Sequence, residues 1–285
     1  MKVGMIGLGV MGAAMVGHLL KRGEDEVYVY DVDWEKVEDA TRGGARAAAN
    51  LGEMAEQAEM AIVAVATDEQ MIEVVTEVAN AGHEIVVVVS STVHPEAIAE
   101  AAKIVEGTKV RLVDSPVVFG SGGARDGTLL CLCGGDEADI EFNTPAMMAF
   151  SRGVLRVGEI GHGQLAKAVN NMLHWANCVS NFEALLLAKR HGMDAQKLRE
   201  VLLQCPGTNG TLETWDDTWL TWQEKDMDIV MDVAQKSGIT MPLFGQVDQL
   251  VKLITHQDIQ DLLYGPEATY IGRTVTGGSV KRVGE

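Results

Sequence analysis

Lys167 and Asn171 lie four residues apart in the stretch Gly161-His162-Gly163-Gln164-Leu165-Ala166-Lys167-Ala168-Val169-Asn170-Asn171, where apolar residues recur with a helical period. That spacing puts an ammonium and a carboxamide on one helix face. An ammonium held beside a bound cofactor and partly withdrawn from water can release and recover a proton near neutral pH, which makes Lys167 a candidate acid/base. Asn171, with both a donor and an acceptor, could hold the lysine or a substrate hydroxyl in place. Taken alone, such a pair is most often a solvated helix face, and both readings stand at this point.

A second constellation specifies a ligand. Lys2 to Ile6 reads as a buried strand, Val10 to Leu20 as a helix and Val27 to Tyr30 as the next strand, with Gly7-Leu8-Gly9-Val10-Met11-Gly12 at the first junction. In that setting the glycines predict a dinucleotide site: Gly7 for the tight turn, Gly9 for close approach of backbone to a pyrophosphate, and Gly12 for helix–strand packing. The helix N-terminus then faces the phosphates. Asp31 ends the second strand, where a carboxylate accepts from both ribose hydroxyls and repels a 2'-phosphate. Asp33 adds a like charge, and no Arg or Lys lies between Asp31 and Glu35, so NAD is favoured over NADP.

Three further segments bear on the site. Ser90-Ser91-Thr92 follows the apolar run Ile85 to Val89 and precedes Pro95, which suits a helix start. Ser91 and Thr92 are therefore candidates for contacts with the nicotinamide ribose or substrate, or for capping of that helix. Asp114-Ser115-Pro116-Val117 follows another strand and opens a glycine-rich loop, Val118 to Gly127, suited to wrapping a small substrate. Lys225-Asp226 begins a helical segment and could bring a second cation, although alone it reads as surface charge. His174, one turn beyond Asn171, is more often structural than a ligand in such a context. Trp215, Trp219 and Trp222 read as a helical stripe in a core or subunit interface.

The elements that must position these residues follow from periodicity. Apolar runs at Val3–Ile6, Val27–Tyr30, Met60–Val65, Ile85–Val89, Val110–Val113 and Leu129–Cys133 alternate with helix-length segments such as Glu69–Ala79 and Pro95–Val105. This predicts an α/β fold with a Rossmann-type, doubly wound, mostly parallel sheet. After Val157 the strand pattern stops, and helices are expected at Gly163–Arg190, Ala195–Leu203, Trp215–Trp222, Met227–Ser237 and Leu243–Thr255. The expected organisation is a dinucleotide-binding domain over 1–160 and an all-α substrate or oligomerisation domain over 161–285, divided at the glycine-rich Gly158–Gly163. Gly272 to Glu285 lacks apolar periodicity and is expected to be poorly ordered.

Composition narrows the partners. A net charge of -18 argues against nucleic acid and anionic membranes, which need clustered cations. No basic n-region precedes an apolar stretch and no run is long enough to span a bilayer, so a cytoplasmic location is expected. The four cysteines are few, Cys131 and Cys133 suit a buried strand, and no Cys or His spacing suggests a metal.

Taken together, the motifs resemble the β-hydroxyacid dehydrogenase family, which includes 3-hydroxyisobutyrate dehydrogenase and tartronate semialdehyde reductases. The resemblance spans roughly residues 1 to 245. It rests on Gly4 to Gly12, Ser91-Thr92, Asp114-Ser115-Pro116-Val117, Gly127-Thr128-Leu129, Gly161-His162-Gly163 with Lys167 and Asn170-Asn171, Glu183-Ala184 with Gly192, and Lys225-Asp226. It implies Lys167 as the catalytic acid/base with Asn171 as helper, and Thr92 and Lys225 as cofactor contacts. Ala66, where the family usually carries Leu-Pro after the third strand, is grouped with the cofactor contacts. Ser91, Thr92, Val117, Val118, Phe119 and Gly120 are grouped with Lys167 and Asn171 as substrate contacts. The resemblance implies hydride transfer between NAD(H) and a small β-hydroxyacid or related alcohol or aldehyde, in a homo-oligomer. One departure stands out: the family's Ser-Gly-Gly is Val118-Phe119-Gly120 here, exchanging a hydroxyl for an aliphatic group and a glycine for Phe. Carboxylate recognition is then expected to move, with Ser121 or Arg125 as candidates, or the substrate to change. The alternatives are an imine reductase and a non-catalytic NAD(H)-binding sensor or scaffold.

Overall fold

The computed structural model describes residues 1–23 and 25–277, the Asp217 side chain excepted. The chain divides into two compact units, Met1–Lys167 and Ala168–Glu285.

The first unit alternates strands and helices: β1 (Lys2–Ile6), α1 (Val10–Arg22), β2 (Glu26–Tyr30), α2 (Trp34–Arg42), β3 (Arg46–Ala47), α3 (Leu51–Gln57), β4 (Met60–Val63) and α4 (Asp68–Asn80). It continues with β5 (Ile85–Val89), α5 (Pro95–Val105), β6 (Val110–Asp114), β7 (Val117–Val118), α6 (Gly120–Asp126), β8 (Leu129–Gly134), α7 (Glu137–Met147) and β9 (Ser151–Gly158). The strands form one sheet in the order β3-β2-β1-β4-β5-β6-β8-β7, with β9 paired to β8. β1 to β6 are parallel neighbours, whereas β8 runs antiparallel to β6 and β7. The strand order reverses between β1 and β4, and ligands in such sheets bind beyond the carboxyl ends of the strands at that switch point.

β5 shows why the sheet must be covered on both faces. All five residues are buried; Val86 and Val88 belong to the same buried cluster as Met15 and Leu19 of α1, while Ile85, Val87 and Val89 belong to the one that includes Met71 and Val75 of α4. Alternate side chains of a strand point to opposite faces, and each such aliphatic burial is worth about 1.5–3 kcal/mol over exposure. The expected strand Met60–Val65 stops at Val63, because the Val65 N–H is taken by Ser91 Oγ at 2.8 Å instead of a ladder. Residues 118–127, expected as a loop, instead form the end of β7 and the short helix α6. Val117 and Val118 pair with Cys131 and Leu130, and His18 on α1 meets the Ala124 and Arg125 carbonyls at 3.0 and 3.1 Å, capping α6.

The long helix α8 (His162–Arg190) begins in the first unit and continues into the second, where α9 (Ala195–Leu202), α10 (Gly210–Glu213), α11 (Gln223–Lys236), α12 (Pro242–Val251) and α13 (His256–Tyr264) follow. Phe182, Leu185, Trp215, Val251 and Leu262 are among the buried side chains of this helical core. A two-stranded hairpin, β10 (Glu267–Tyr270) with β11 (Arg273–Thr276), was not expected from the sequence. It orders residues 272–276 of the tail, and 278–285 lie outside the described residues. Lys189, buried near the end of α8, donates to the Asp261 and Leu262 carbonyls at 3.3 and 3.0 Å and to that of Gly265 at 2.5 Å, closing the end of α13. The predicted helix Trp215–Trp222 is only a 3₁₀ turn over Trp215–Asp217, so the tryptophans form no stripe. Trp215 is fully buried, whereas Trp219 is exposed and stacks on His256 with 4.4 Å between ring centroids. The helix expected over Leu243–Thr255 stops at Val251, because Thr255 caps α13 in a reciprocal pair with Asp258.

Among the described residues, no helix is long and apolar enough to cross a membrane.

Candidate active site

The turn from β1 into α1 has the shape a phosphate requires. Gly7 has φ +94°, and a Cβ there would run into the Ala64 carbonyl; one on Gly12 would run into the Gly7 carbonyl. Gly9, which caps α1, differs: a Cβ added there meets nothing within 4 Å, and among the described residues no side chain bonds the first turn. The other long helices that begin in Met1–Met147 are capped by side chains, with Asp33, Thr67, His94 and Asp136 accepting from Glu35, Gln70, Glu96 and Ala138. An uncapped N-terminus beside open space, carrying the positive end of the helix dipole, fits a dinucleotide phosphate. Asp31 accepts the Leu8 N–H at 2.6 Å and the Asp33 N–H at 2.8 Å, one on each oxygen. A carboxylate has about four acceptor directions, so capacity for ribose hydroxyls remains. Lys36, just beyond the sequence window that contained no cation, pairs with Asp33 at 3.2 Å.

The loops after β4 and β5 assign the hydroxyls. Ser91 is buried; its Oγ accepts from Val65 N–H at 2.8 Å and donates to the Val63 carbonyl at 3.3 Å. It joins the ends of β4 and β5. Neither Ser91 nor Thr92 caps α5, because His94 Nδ1 accepts the Glu96 N–H at 3.1 Å. Thr92 is half-buried between them. Ser90 Oγ, buried at the end of β5, has no hydrogen-bond partner among the described residues. Such an orphan at the carboxyl edge of a parallel sheet is what a bound polar ligand would satisfy. Ala66 is exposed on the same edge, with its N–H donating to Gln70 Oε1 at 2.9 Å.

The start of α8, which carries Lys167, is fastened to this edge by two side chains. Asp114, fully buried at the end of β6, accepts the Gly161 N–H at 2.7 Å and the Gln164 N–H at 2.8 Å. Burial pushes its carboxyl up to about 6, and backbone hydrogen bonds from Gly161 and Gln164 oppose that rise. Gly163 lets the carboxylate sit close: an added Cβ would lie 2.7 Å from Asp114 Oδ2. The Gln164 side chain reaches the loop after β5, donating to the Ser91 carbonyl at 2.8 Å and accepting the Val93 N–H at 3.1 Å. Lys167 is half-buried and lies one turn farther along α8. These contacts join the first turns of α8 to the first compact unit, which runs through Lys167.

The segment Val117 to Gly120 is largely turned inward. Val117 and Val118 are buried, whereas Phe119 is half exposed with φ +82°, a left-handed conformation that a non-glycine residue holds at a cost of about 1–2 kcal/mol. The Arg152 guanidinium stacks 3.8 Å from the Phe119 ring centroid. Arg125, a candidate carboxylate ligand, pairs with Asp126 at 2.9 Å.

In the second unit, Asn171 is buried and accepts from Asn170 Nδ2 at 3.1 Å. His174 bonds Thr211 Oγ1 at 2.8 Å, the structural role that its helical context favoured. Lys225 is exposed in the first turn of α11, while Asp226 is buried and accepts from Trp175 Nε1 at 3.2 Å, tying α11 to α8.

By its local sequence Asp114 is only the opener of a loop, and nothing around Gln164 gives that residue a role. The signal available was Gly163, which marks a close approach without naming the group that approaches, beside Gly161, whose φ of +89° favours glycine.

Comparison with known proteins gives a consistent picture. Residues 2–160 match the model for the NAD-binding domain of 6-phosphogluconate dehydrogenase, and residues 161–262 match that for the NAD-binding region of NADP-dependent 3-hydroxyisobutyrate dehydrogenase. An uncharacterized oxidoreductase of Shewanella frigidimarina is 30% identical over 263 residues, covering 87% of this chain and 90% of the relative. The 3-hydroxyisobutyrate dehydrogenase of Pseudomonas aeruginosa is 30% identical over 218 residues, covering 75% of this chain and 73% of that one. In fold, the chain is similar to Mycobacterium tuberculosis 3-hydroxyisobutyrate dehydrogenase solved with L-serine. The TM-score is 0.80 at 24% identity, covering 88% of this chain and 92% of that one.

Proposed function

The chain belongs to the β-hydroxyacid dehydrogenase family of NAD(P)-binding oxidoreductases, and on that premise we propose that it oxidises a small β-hydroxyacid, with Lys167 as the proton acceptor and NAD as the preferred cofactor. The observation that carries the reading is the fastening of the helix bearing Lys167 to the loop containing Thr92, at the carboxyl edge of the sheet. A bound nicotinamide supplies the hydride acceptor, or the donor in the reverse direction. The residues fitted to hold the dinucleotide are Gly7 to Gly12 around its pyrophosphate, Asp31 on its ribose, and Ala66, Thr92 and Lys225 as further contacts. Lys167 enters oxidation neutral, takes the substrate hydroxyl proton at Nζ, and returns it in reduction, while Asn171 orients the reacting group. Asp31 and Asp33 support NAD over NADP by repelling a 2'-phosphate. Ser91 contributes by shaping the edge; of Val117 to Gly120, Phe119 and Gly120 are the positions open to a substrate, while the buried Val117 and Val118 support them from beneath. The reading includes a cytoplasmic homo-oligomer.

Replacing Lys167 with Ala should lower kcat by at least ~10³-fold while leaving NADH affinity within about twofold, since proton transfer and positioning by one group commonly contribute 10²–10⁴-fold. Steady-state kinetics on a hydroxyacid panel with NAD and NADP, alongside an NADH fluorescence titration, makes the measurement. Wild-type turnover in the variant would refute the assignment. Turnover of cyclic imines but of no hydroxyacid or aldehyde would identify an imine reductase instead.

A further inference from the structure

We infer that Gln164 and Asp114 form a buried clamp that sets Lys167 against the Thr92 loop, so that both are positioning residues for the proton transfer. The inference rests on the role given to Lys167 above. Gln164 is 2% exposed, and its amide spans the two peptide groups that flank Thr92, donating to the Ser91 carbonyl at 2.8 Å and accepting the Val93 N–H at 3.1 Å. The Gln164 main-chain N–H is held at the same time by the Asp114 carboxylate at 2.8 Å, and the Gly161 N–H by its other oxygen at 2.7 Å. One residue thus ties three segments together: the end of β6, the loop after β5 and the first turn of α8. A carboxylate at a helix N-terminus also complements the dipole, so the first turn has both a hydrogen-bonded and an electrostatic preference for its place.

The geometry explains why this acts on the chemistry beyond holding the fold. A helix rises about 1.5 Å and turns about 100° per residue, so a one-residue slip at Gln164 would carry Nζ of Lys167 out of hydrogen-bond reach of the atom it serves. A misplacement of about 1 Å at a reacting group can cost ~10²-fold in rate. The phosphate-binding turn before α1 bonds neither Gln164 nor Asp114 in the described residues, so cofactor affinity should be spared.

The test is Gln164→Leu, similar in size but unable to bond the loop, together with Asp114→Asn, which keeps the shape but turns an amide toward one of the two N–H donors. The expected result is a fall in kcat of ~30–100-fold in each, with NADH affinity and the KM for NAD within about twofold. Combined with Lys167→Ala, each should change the residual rate by less than about threefold, because effects of residues acting through one group are not additive. Gln164→Glu, which retains the acceptor for Val93 but loses the donor to Ser91, guards against a fold that fails with Leu, and should show the same kcat-selective loss. Wild-type kcat in the folded variants, in a protein that Lys167→Ala inactivates, would overturn the clamp alone. Loss of kcat and NADH affinity in proportion to a lowered melting temperature would also overturn it, showing a structural cap. A Lys167→Ala variant with full turnover would overturn the role of the lysine and the clamp with it, and is recognised from that variant by itself.

Discussion

Two glycine-rich helix starts in the first unit have opposite occupancies. Before α1, Gly9 borders open space and no side chain among the described residues caps the helix. Before α8, the space against Gly163 is filled by the Asp114 carboxylate, which takes two of the first N–H groups. A helix N-terminus attracts negative charge wherever it occurs. At α8 the chain supplies that charge from its own β6 and buries it, and the helix becomes a fixed mount for Lys167. At α1 the Asp31 carboxylate takes only the Leu8 N–H ahead of the helix, and among the described residues no side chain takes an N–H of the first turn, so the same physics is left for a ligand's phosphate. Glycine spacing therefore marks a close approach to a helix start without saying whether the visitor is a side chain or a cofactor.

The contrast can be broken first at its open end. Gly9→Asp puts a carboxylate where a phosphate would lie, and NADH affinity should fall by at least ~100-fold, close to 3 kcal/mol, with the melting temperature unchanged. Unaltered affinity in a fluorescence titration would remove the phosphate cradle from this turn.

The filled end should respond to pH. Burial raises Asp114 from 3.8 to about 6, so between those values the folded chain keeps a proton that the unfolded chain releases. Its contribution to stability is therefore fully present below pH 3.8 and lost as pH rises through about 6. The difference in unfolding free energy between the wild type and Asp114→Asn should grow by up to about 3 kcal/mol from pH 7 to pH 4. Chemical denaturation at several pH values measures it, and a flat difference would mean that the carboxyl gains no proton on folding. Over the same interval wild-type turnover should fall, because a protonated Asp114 no longer accepts both amides. Stability and activity then move in opposite directions.

A smaller effect sharpens the open end. Asp31→Asn removes the charge that repels a 2'-phosphate and weakens the bond from Leu8 N–H, so NAD affinity should drop about tenfold and the preference over NADP should narrow. Parallel titrations with the two cofactors report it; an undiminished preference would transfer cofactor choice to other groups.

Much of this was legible in the residues. The runs at Ile85–Val89 and Pro95–Val105 became β5 and α5 with the expected boundaries, because a fully apolar run and a proline-started amphipathic stretch each suit one conformation. The reading failed where tertiary partners overrode local pattern. Residues 118–127 looked like a loop from their glycines, yet Val117 and Val118 found partners on β8 and His18 closed α6. The tryptophans at 215, 219 and 222 looked helical by spacing, yet Trp215 turned into the core against Phe182 and the chain left the helix after Asp217. Ser91 had the hydroxyl of a ligand contact and spends it between β4 and β5.

The sequence by itself determined the alternation that winds the sheet, the dinucleotide turn with Asp31 at the next strand end, and the lysine on a helix one turn from an asparagine. Those features are local: each needs only a period, a glycine at a forced turn or a charge at a strand end, within about thirty residues of chain. Tertiary structure alone decided that Asp114 would cap the helix of Lys167 and that Gln164 would brace it against Ser91 and Val93. Those bonds join residues 47 to 73 positions apart, and no periodicity records which buried carboxylate will meet which helix start. The pairing is fixed only when burial removes water and leaves each polar group a single partner within reach.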